Sequence, residues 1–164
     1  MALIDAMLAE LKKEGESTKK ILERVPEQSF QWKPHEKSMS LGRLATHVAE
    51  IPHWISDILI NDEFDFATRA FERHVVSSNE ELLQIFQEKF NKAIQDLQNA
   101  SDESLKEKWV LRRGDAVFFE LPRVVMIRSF GFSHFIHHRG QLSVYLRILN
   151  VPVPGMYGPS ADER

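Results

Sequence analysis

The chain has 164 residues, enough for one domain with a buried core, and 43% of them are hydrophobic and 27% charged, as in an ordinary folded protein. The 21 Lys and Arg residues against 24 Asp and Glu residues give a formal net charge of -3, and no uncharged apolar run approaches the ~20 residues of a membrane span. Cysteine is absent, which excludes disulfides, thiolate metal sites and a cysteine nucleophile. We therefore expect a cytoplasmic protein with no nucleic-acid partner and no membrane association.

Four segments carry apolar side chains at spacings of three and four residues, the pattern of an amphipathic helix. The first spans about residues 2–25 and stops at Pro26. The second starts after Ser40, a good N-cap, and runs to about Ile60. Pro52 lies inside this second segment, where we expect a kink because a proline within a helix removes one backbone hydrogen bond.

The third segment opens with a capping box at Ser78 and runs to about Asn99. The fourth starts near Pro122, a residue suited to the first turn of a helix, and runs to about Leu149. This last helix would have roughly 28 residues and a length of ~42 Å.

The connections between the helices are long. Residues 109–111 and 116–118 flank a Gly-Asp turn and could form a short hairpin before the fourth helix. Within that helix, Gly131 and Gly140 indicate either close approach of a neighbour or tolerated packing. The chain has no internal repeat and no flexible linker, so we predict one domain over residues 1–164. The predicted fold class is all-α, a four-helix bundle with long connections.

The clearest chemical signal is the run from His134 to Gln141, in which His134 and His138 are four residues apart. On a helix this spacing directs both imidazoles to the same face, one turn apart, so both can reach one metal ion. Both residues lie on the apolar stripe of the fourth helix, where their ring nitrogens need partners. His47 occupies the inward side of the second helix and could complete a set of three.

Three protein ligands leave a coordination position open for water or substrate, the pattern of a catalytic site. An all-imidazole shell suits Zn²⁺ or Ni²⁺ and does not choose between them. The residues alone leave a second interpretation open, in which these histidines are core residues bonded to backbone carbonyls. Glu50, three residues after His47, is a candidate catalytic base or a solvated helix carboxylate. Gln141 and Tyr145 are candidates for binding substrate or for simple packing.

Four stretches together resemble the DinB/YfiT-like family, and the resemblance covers nearly the whole chain. These stretches are Trp32-Lys33-Pro34, Leu44 to Glu50, His134 to Gln141 and Val151 to Asp162. The resemblance implies a four-helix bundle in which three histidines hold a divalent metal, and the matching positions are His47, His134 and His138. Because members of this family are often dimeric, it also implies a homodimer.

Membership of this family does not fix the reaction. Some relatives transfer a low-molecular-weight thiol such as bacillithiol or mycothiol to an electrophile, and others are regarded as hydrolases. Because this chain has no cysteine, a thiolate nucleophile would arrive as a cosubstrate, and a metal ion can hold its sulfur deprotonated at neutral pH. We therefore predict a metal-dependent S-transferase acting on a small-molecule electrophile. The alternatives are a hydrolase that uses metal-bound water and a non-catalytic, dimeric metal-binding module of the stress response.

Overall fold

The computed structural model describes residues 2–163, which form a mostly helical fold with one small sheet. The helices are α1 (Leu3–Leu22), α2 (Leu41–Glu50), α3 (Pro52–Ile60), α4 (Asn79–Asn99), α5 (Arg123–Met126) and α6 (His134–Ile148). The strands are β1 (Glu63–Asp65), β2 (Lys108–Arg113) and β3 (Ala116–Pro122). No helix among the described residues has both the length and the apolar character needed to cross a membrane.

The second predicted helix is divided at Pro52. α2 begins after Ser40, whose hydroxyl oxygen accepts a hydrogen bond from the backbone N–H of Arg43 at 3.3 Å. α2 ends at Glu50, and Pro52 opens α3, where a proline needs no helical hydrogen-bond partner. The helix is therefore interrupted at this proline, and the interruption lies just over one turn beyond His47.

The fourth predicted helix is continuous but not uniformly α-helical. Between α5 and α6, residues Ile127–Ser133 form a π-helical segment, whose hydrogen bonds span five residues instead of four. Gly131 in this segment lies against α3, and a Cβ atom there would be 2.7 Å from Cγ1 of Ile55. Gly140 in α6 has open space around it. Close approach therefore explains Gly131, and tolerated packing explains Gly140.

The predicted all-α fold class is wrong, because the chain also forms a three-stranded mixed sheet in the order β1-β2-β3. β2 and β3 form the antiparallel hairpin, with Trp109 opposite Leu121, and both strands extend beyond the predicted residues. β1 pairs in parallel with β2, with Glu63 opposite Val110. The sequence does not reveal β1 because three residues are too few to display alternation. β3 is exposed along nearly its whole length, so apolar and polar positions do not alternate in it.

Two clusters of buried apolar side chains hold these elements together, and Phe90 of α4 packs against both. One cluster joins α2, α4 and α6 to the C-terminal half of α1 and includes Leu44, Phe86 and Phe135. The other joins α3, the sheet and the π-helical segment to the N-terminal half of α1 and includes Trp109. As a result, α2 and α6 pack directly against each other.

A buried ion pair fixes the rotation of α6. Arg139 is 2% and Glu14 of α1 is 5% exposed, and Nη2 of Arg139 lies 2.5 Å from Oε2 of Glu14. The chain that follows α6 forms a C-terminal tail. The hydroxyl of Tyr157, in this tail, lies 3.0 Å from the same carboxylate oxygen. Successive helical residues point about 100° apart, so anchoring Arg139 toward α1 directs His138 toward a different neighbour, α2.

Candidate metal centre

The packing of α2 against α6 brings three histidines from two distant parts of the sequence together. Nε2 of His47 lies 3.1 Å from Nε2 of His134. The ring centroids are 4.5 Å apart for His47 and His138, and 4.7 Å apart for His134 and His138. One ring nitrogen from each residue lies within 4.8 Å of the other two. The three-histidine group that the sequence predicts is therefore present.

Burial keeps these imidazoles neutral. It lowers the pKa of His47 to about 3, with further contributions from the neighbouring His138 and His134. Withdrawal from water also lowers the pKa of His134, to about 4. The pKa of His138 lies below its ordinary value for the same reason. All three rings are therefore uncharged at neutral pH, so each has a lone pair available for a cation.

The donor set fits a divalent cation. Two nitrogens bound to a tetrahedral Zn²⁺ at about 2.1 Å would be about 3.4 Å apart. The 3.1 Å between Nε2 of His47 and Nε2 of His134 is close to this distance. Nδ1 of His138 lies 2.7 Å from Oε1 of Gln141, an oxygen that can only accept a hydrogen bond. Nδ1 of His138 therefore carries the proton, and its Nε2 keeps the lone pair that a cation needs.

A cavity of about 200 Å³ opens next to the group, and His47 and His134 line one part of it. The remaining lining residues are aromatic or cationic: Arg43, Trp54, Phe66, Phe71, Arg73 and Phe130. The indole of Trp54 stacks on the ring of Phe71 with 5.3 Å between centroids. A small ligand in this cavity would contact the histidine group directly.

Glu50, the candidate catalytic base, is 1% exposed and lies one turn from His47. Its Oε2 accepts a hydrogen bond from Nη1 of Arg43 at 2.9 Å. Its Oε1 accepts a hydrogen bond from the backbone N–H of His74 at 2.7 Å and lies 3.1 Å from Nδ1 of the same residue. Oε1 thus ties α2 to the segment between β1 and α4, and Oε2 holds Arg43 within α2. With both oxygens engaged, the contacts favour a positioning role for Glu50.

The other two candidates occupy different places. Gln141 lies beside the histidine group, where it orients the ring of His138. Tyr145 is not among the residues that line the cavity. Its hydroxyl donates to the carbonyl of Met39 at 3.3 Å, and its ring meets Trp32 edge to face at 5.6 Å. These contacts pack the segment before α2 onto α6.

Two residues beside the group are absent from the sequence predictions, Arg43 and Arg73. Arg43 precedes His47 by four residues, so helical spacing alone could have placed both on one face. Arg73 lies in the segment between β1 and α4, where no periodicity indicates the direction of a side chain. Both guanidiniums oppose protonation of His47 and contribute to its low pKa.

The fold and the site define a class of protein: a helical bundle in which α2 and α6 together carry a three-histidine group. The sequence profile of the DinB family matches residues 2–164. The chain belongs to the DinB family, as the motifs in its sequence predict.

Individual relatives agree with this assignment. The chain is 27% identical over 161 residues to the uncharacterized protein YrdA of Bacillus subtilis strain 168, an alignment that covers 98% of this chain and 91% of that protein. The crystal structure of a DinB-like protein from Bacillus cereus superposes with a TM-score of 0.73 at 24% identity, covering 93% of this chain and 97% of that one. The DinB-like protein YjoA of Bacillus subtilis gives a TM-score of 0.71 at 17% identity, covering 97% and 99%. At these identities the two structures support the fold alone.

Proposed function

We propose that this chain is a divalent-metal-dependent enzyme that transfers a low-molecular-weight thiol to a small electrophile. His47, His134 and His138 would hold the cation. When bound, the cation would keep the sulfur of a coordinating thiol deprotonated at neutral pH. The observation that carries the proposal is the convergence of three neutral imidazoles beside a cavity that can admit a small ligand.

The surrounding residues support an external thiol as the nucleophile. The chain has no cysteine, so the protein itself offers no thiol. Glu50 has both carboxylate oxygens engaged, one by Arg43 and one by His74. This arrangement favours a nucleophile that needs no protein carboxylate to accept its proton. The stacked rings of Trp54 and Phe71 would shield the reacting groups from water.

The composition of the group favours an enzyme over a purely structural metal site. Structural sites close their coordination shell with four protein ligands, whereas catalytic sites keep one position free. Within residues 2–163, the group contains three histidines, without a further histidine or carboxylate ligand. A position for substrate is therefore available on the side of the cavity.

The metal site is tested by elemental analysis of the protein purified without a histidine tag. We expect about one divalent ion per chain, as for other sites with three protein ligands, and loss of that ion in His138→Ala. His137→Ala is the matched control, because His137 is the preceding residue of α6 and is exposed outside the group. Failure to bind any divalent cation, or equal loss in both variants, would contradict the proposed site.

The reaction is tested by offering the metal-loaded protein cysteine, glutathione or bacillithiol together with chlorodinitrobenzene. We expect metal-dependent consumption of at least one thiol, abolished in His138→Ala and retained in His137→Ala. Hydrolysis of ester substrates without added thiol would identify a hydrolase instead. Metal binding with neither activity would indicate a non-catalytic module.

A further inference from the structure

Two guanidinium groups, those of Arg43 and Arg73, line the cavity beside the three histidines. Nη1 of Arg43 donates to Oε2 of Glu50 at 2.9 Å, which uses one of the five N–H donors of an arginine. Throughout residues 2–163, no carboxylate oxygen lies within 4.0 Å of the guanidinium of Arg73. Donor capacity and positive charge are therefore available to a ligand.

The charge around the cavity is one-sided. Of the eight residues that line it, two are arginines, two are histidines and four are aromatic, and none is acidic. Glu50, the carboxylate that pairs with Arg43, is shared with His74 and does not line the cavity. A cation on the histidines would add further positive charge. Such a site attracts and retains an anionic group.

The shape of the cavity suits a single aromatic ring. The Trp54 indole stacks on Phe71 with 5.3 Å between centroids. The ring of Phe130 is tilted relative to the indole, and their centroids are 5.8 Å apart. The cavity volume of about 200 Å³ exceeds the roughly 150 Å³ that is known to hold benzene. A ring with one small substituent therefore fits, whereas a much larger ligand would extend into solvent.

We infer that the substrate of this site is a small aromatic carboxylate that also carries a leaving group such as chloride. In the proposed transfer, the thiolate sulfur would bond to the carbon that bears this group, and the group would leave as an anion. Its ring would pack among Trp54, Phe71 and Phe130, and its carboxylate would accept hydrogen bonds from Arg43 and Arg73. This inference rests on the proposed function, since it names the substrate class for the same site. The two arginines determine specificity, and the histidine group would lie next to the bound ring.

The test measures binding of benzoate to the metal-free protein by calorimetry and by quenching of tryptophan fluorescence. Benzamide has nearly the same shape without the charge, and we expect it to bind about tenfold more weakly. Arg73→Gln should weaken benzoate binding by about tenfold and leave benzamide binding unchanged. Arg24→Gln, at an exposed arginine that does not line the cavity, is the matched control and should change neither.

Equal affinity for the two ligands, no binding of either, or benzoate binding that is insensitive to Arg73→Gln would overturn the inference. Benzoate binding that requires the metal ion would also overturn it, because the carboxylate would then be coordinated by the cation. The outcome is separate from that of the thiol assay. Benzoate binding without thiol transfer contradicts only the proposed reaction, whereas thiol transfer without benzoate binding contradicts only the substrate class.

Discussion

Gln141 orients a proposed metal ligand, since its Oε1 lies 2.7 Å from Nδ1 of His138. Removing the acceptor in Gln141→Ala frees the ring to rotate and to adopt the other tautomer. We expect the affinity for Zn²⁺ to fall by about tenfold, the lower end of the range for residues that orient metal ligands, because this contact is exposed. Competition with a chromogenic chelator measures the change.

Tyr145→Phe is the control for this experiment, because it removes a hydroxyl one turn further along the same helix. That hydroxyl donates to the carbonyl of Met39 and does not contact the histidines. We expect unchanged metal affinity in this variant. Equal affinity in Gln141→Ala and the native protein would show that the packing of α6 alone orients His138.

Glu50 holds the segment between β1 and α4 onto α2 through His74. Glu50→Ala removes this anchor and leaves Arg43 without its carboxylate partner. We expect a loss of about 2–3 kcal/mol in the free energy of unfolding, as for buried hydrogen bonds to a charged group. Amide hydrogen exchange of residues 70–76 should become faster, and urea denaturation measures the stability.

Glu72→Ala is the matched control, because Glu72 is an exposed carboxylate in the same segment, 3.6 Å from Nε2 of His74. This substitution should have little effect on amide hydrogen exchange or on the free energy of unfolding, because exposed ion pairs contribute about 0–1 kcal/mol. If Glu50→Ala left exchange and metal content unchanged but abolished thiol transfer, Glu50 would be the catalytic base that the sequence suggests.

The sequence predicts the histidine group but not the residues around it. His134 and His138 can be identified from the sequence because polar residues on an apolar stripe need partners. Their spacing of four residues places both on the same face of a helix. The partner of Glu50 is His74, 24 residues away in a segment without periodic structure. Local spacing carries no information on such a contact, because it depends on how the chain returns to α2.

At the scale of elements, Gly15 permits the contact between α1 and α4. A Cβ atom at this position would lie 2.1 Å from Cζ and 2.2 Å from Cε2 of Phe90. Gly15→Ala therefore overfills the interface, at a cost of about 1–3 kcal/mol. Except at its lower end, this cost exceeds the ~1 kcal/mol that alanine gains over glycine through helix propensity. Thermal and urea denaturation should both show a less stable protein.

Gly140→Ala is the comparison within the same fold, since beyond the adjacent residues and the backbone of its own helix nothing lies within 4 Å of the added methyl group. We expect it to stabilise the protein by up to about 1 kcal/mol, through propensity alone. A stabilising effect of Gly15→Ala would mean that Phe90 can move aside, and that α1 and α4 are less tightly packed than their side chains indicate.

The elements differ in how far the sequence predicts them. α4 begins and ends within one residue of its predicted limits, because a capping box marks its start and the apolar spacing continues to its end. In the sheet, the Gly-Asp turn indicates the β2–β3 hairpin, but no such signal marks β1. β1 is specified by its pairing with residues of β2 that lie 47 positions further along, as with Glu63 and Val110. Long-range pairing of short strands is decided by the tertiary fold.

At the scale of the whole molecule, the C-terminal tail closes the bundle. Asp162 accepts two hydrogen bonds from Arg147 of α6, at 3.0 and 2.6 Å, and one from the backbone N–H of Val153 at 2.8 Å. The hydroxyl of Tyr157, in the same tail, contacts the buried pair of Glu14 and Arg139. The tail thus links the outer side of α6 to the interior of the bundle.

This link makes the attachment of the tail dependent on pH. The hydrogen bonds from Arg147, followed by that from the Val153 backbone, lower the pKa of Asp162 from its ordinary value of 3.8 to about 2. A carboxylate with a lowered pKa stabilises the folded state above the pKa of the unfolded chain, and the contribution is lost as pH falls through the folded value. In urea denaturation, Asp162→Asn should therefore be less stable than the native protein at pH 6, and the difference should shrink between pH 4 and about pH 2. Asp115→Asn, at an exposed turn position, is the control. If the difference in the free energy of unfolding between Asp162→Asn and the native protein did not depend on pH, the shape of the side chain rather than its charge would hold the tail.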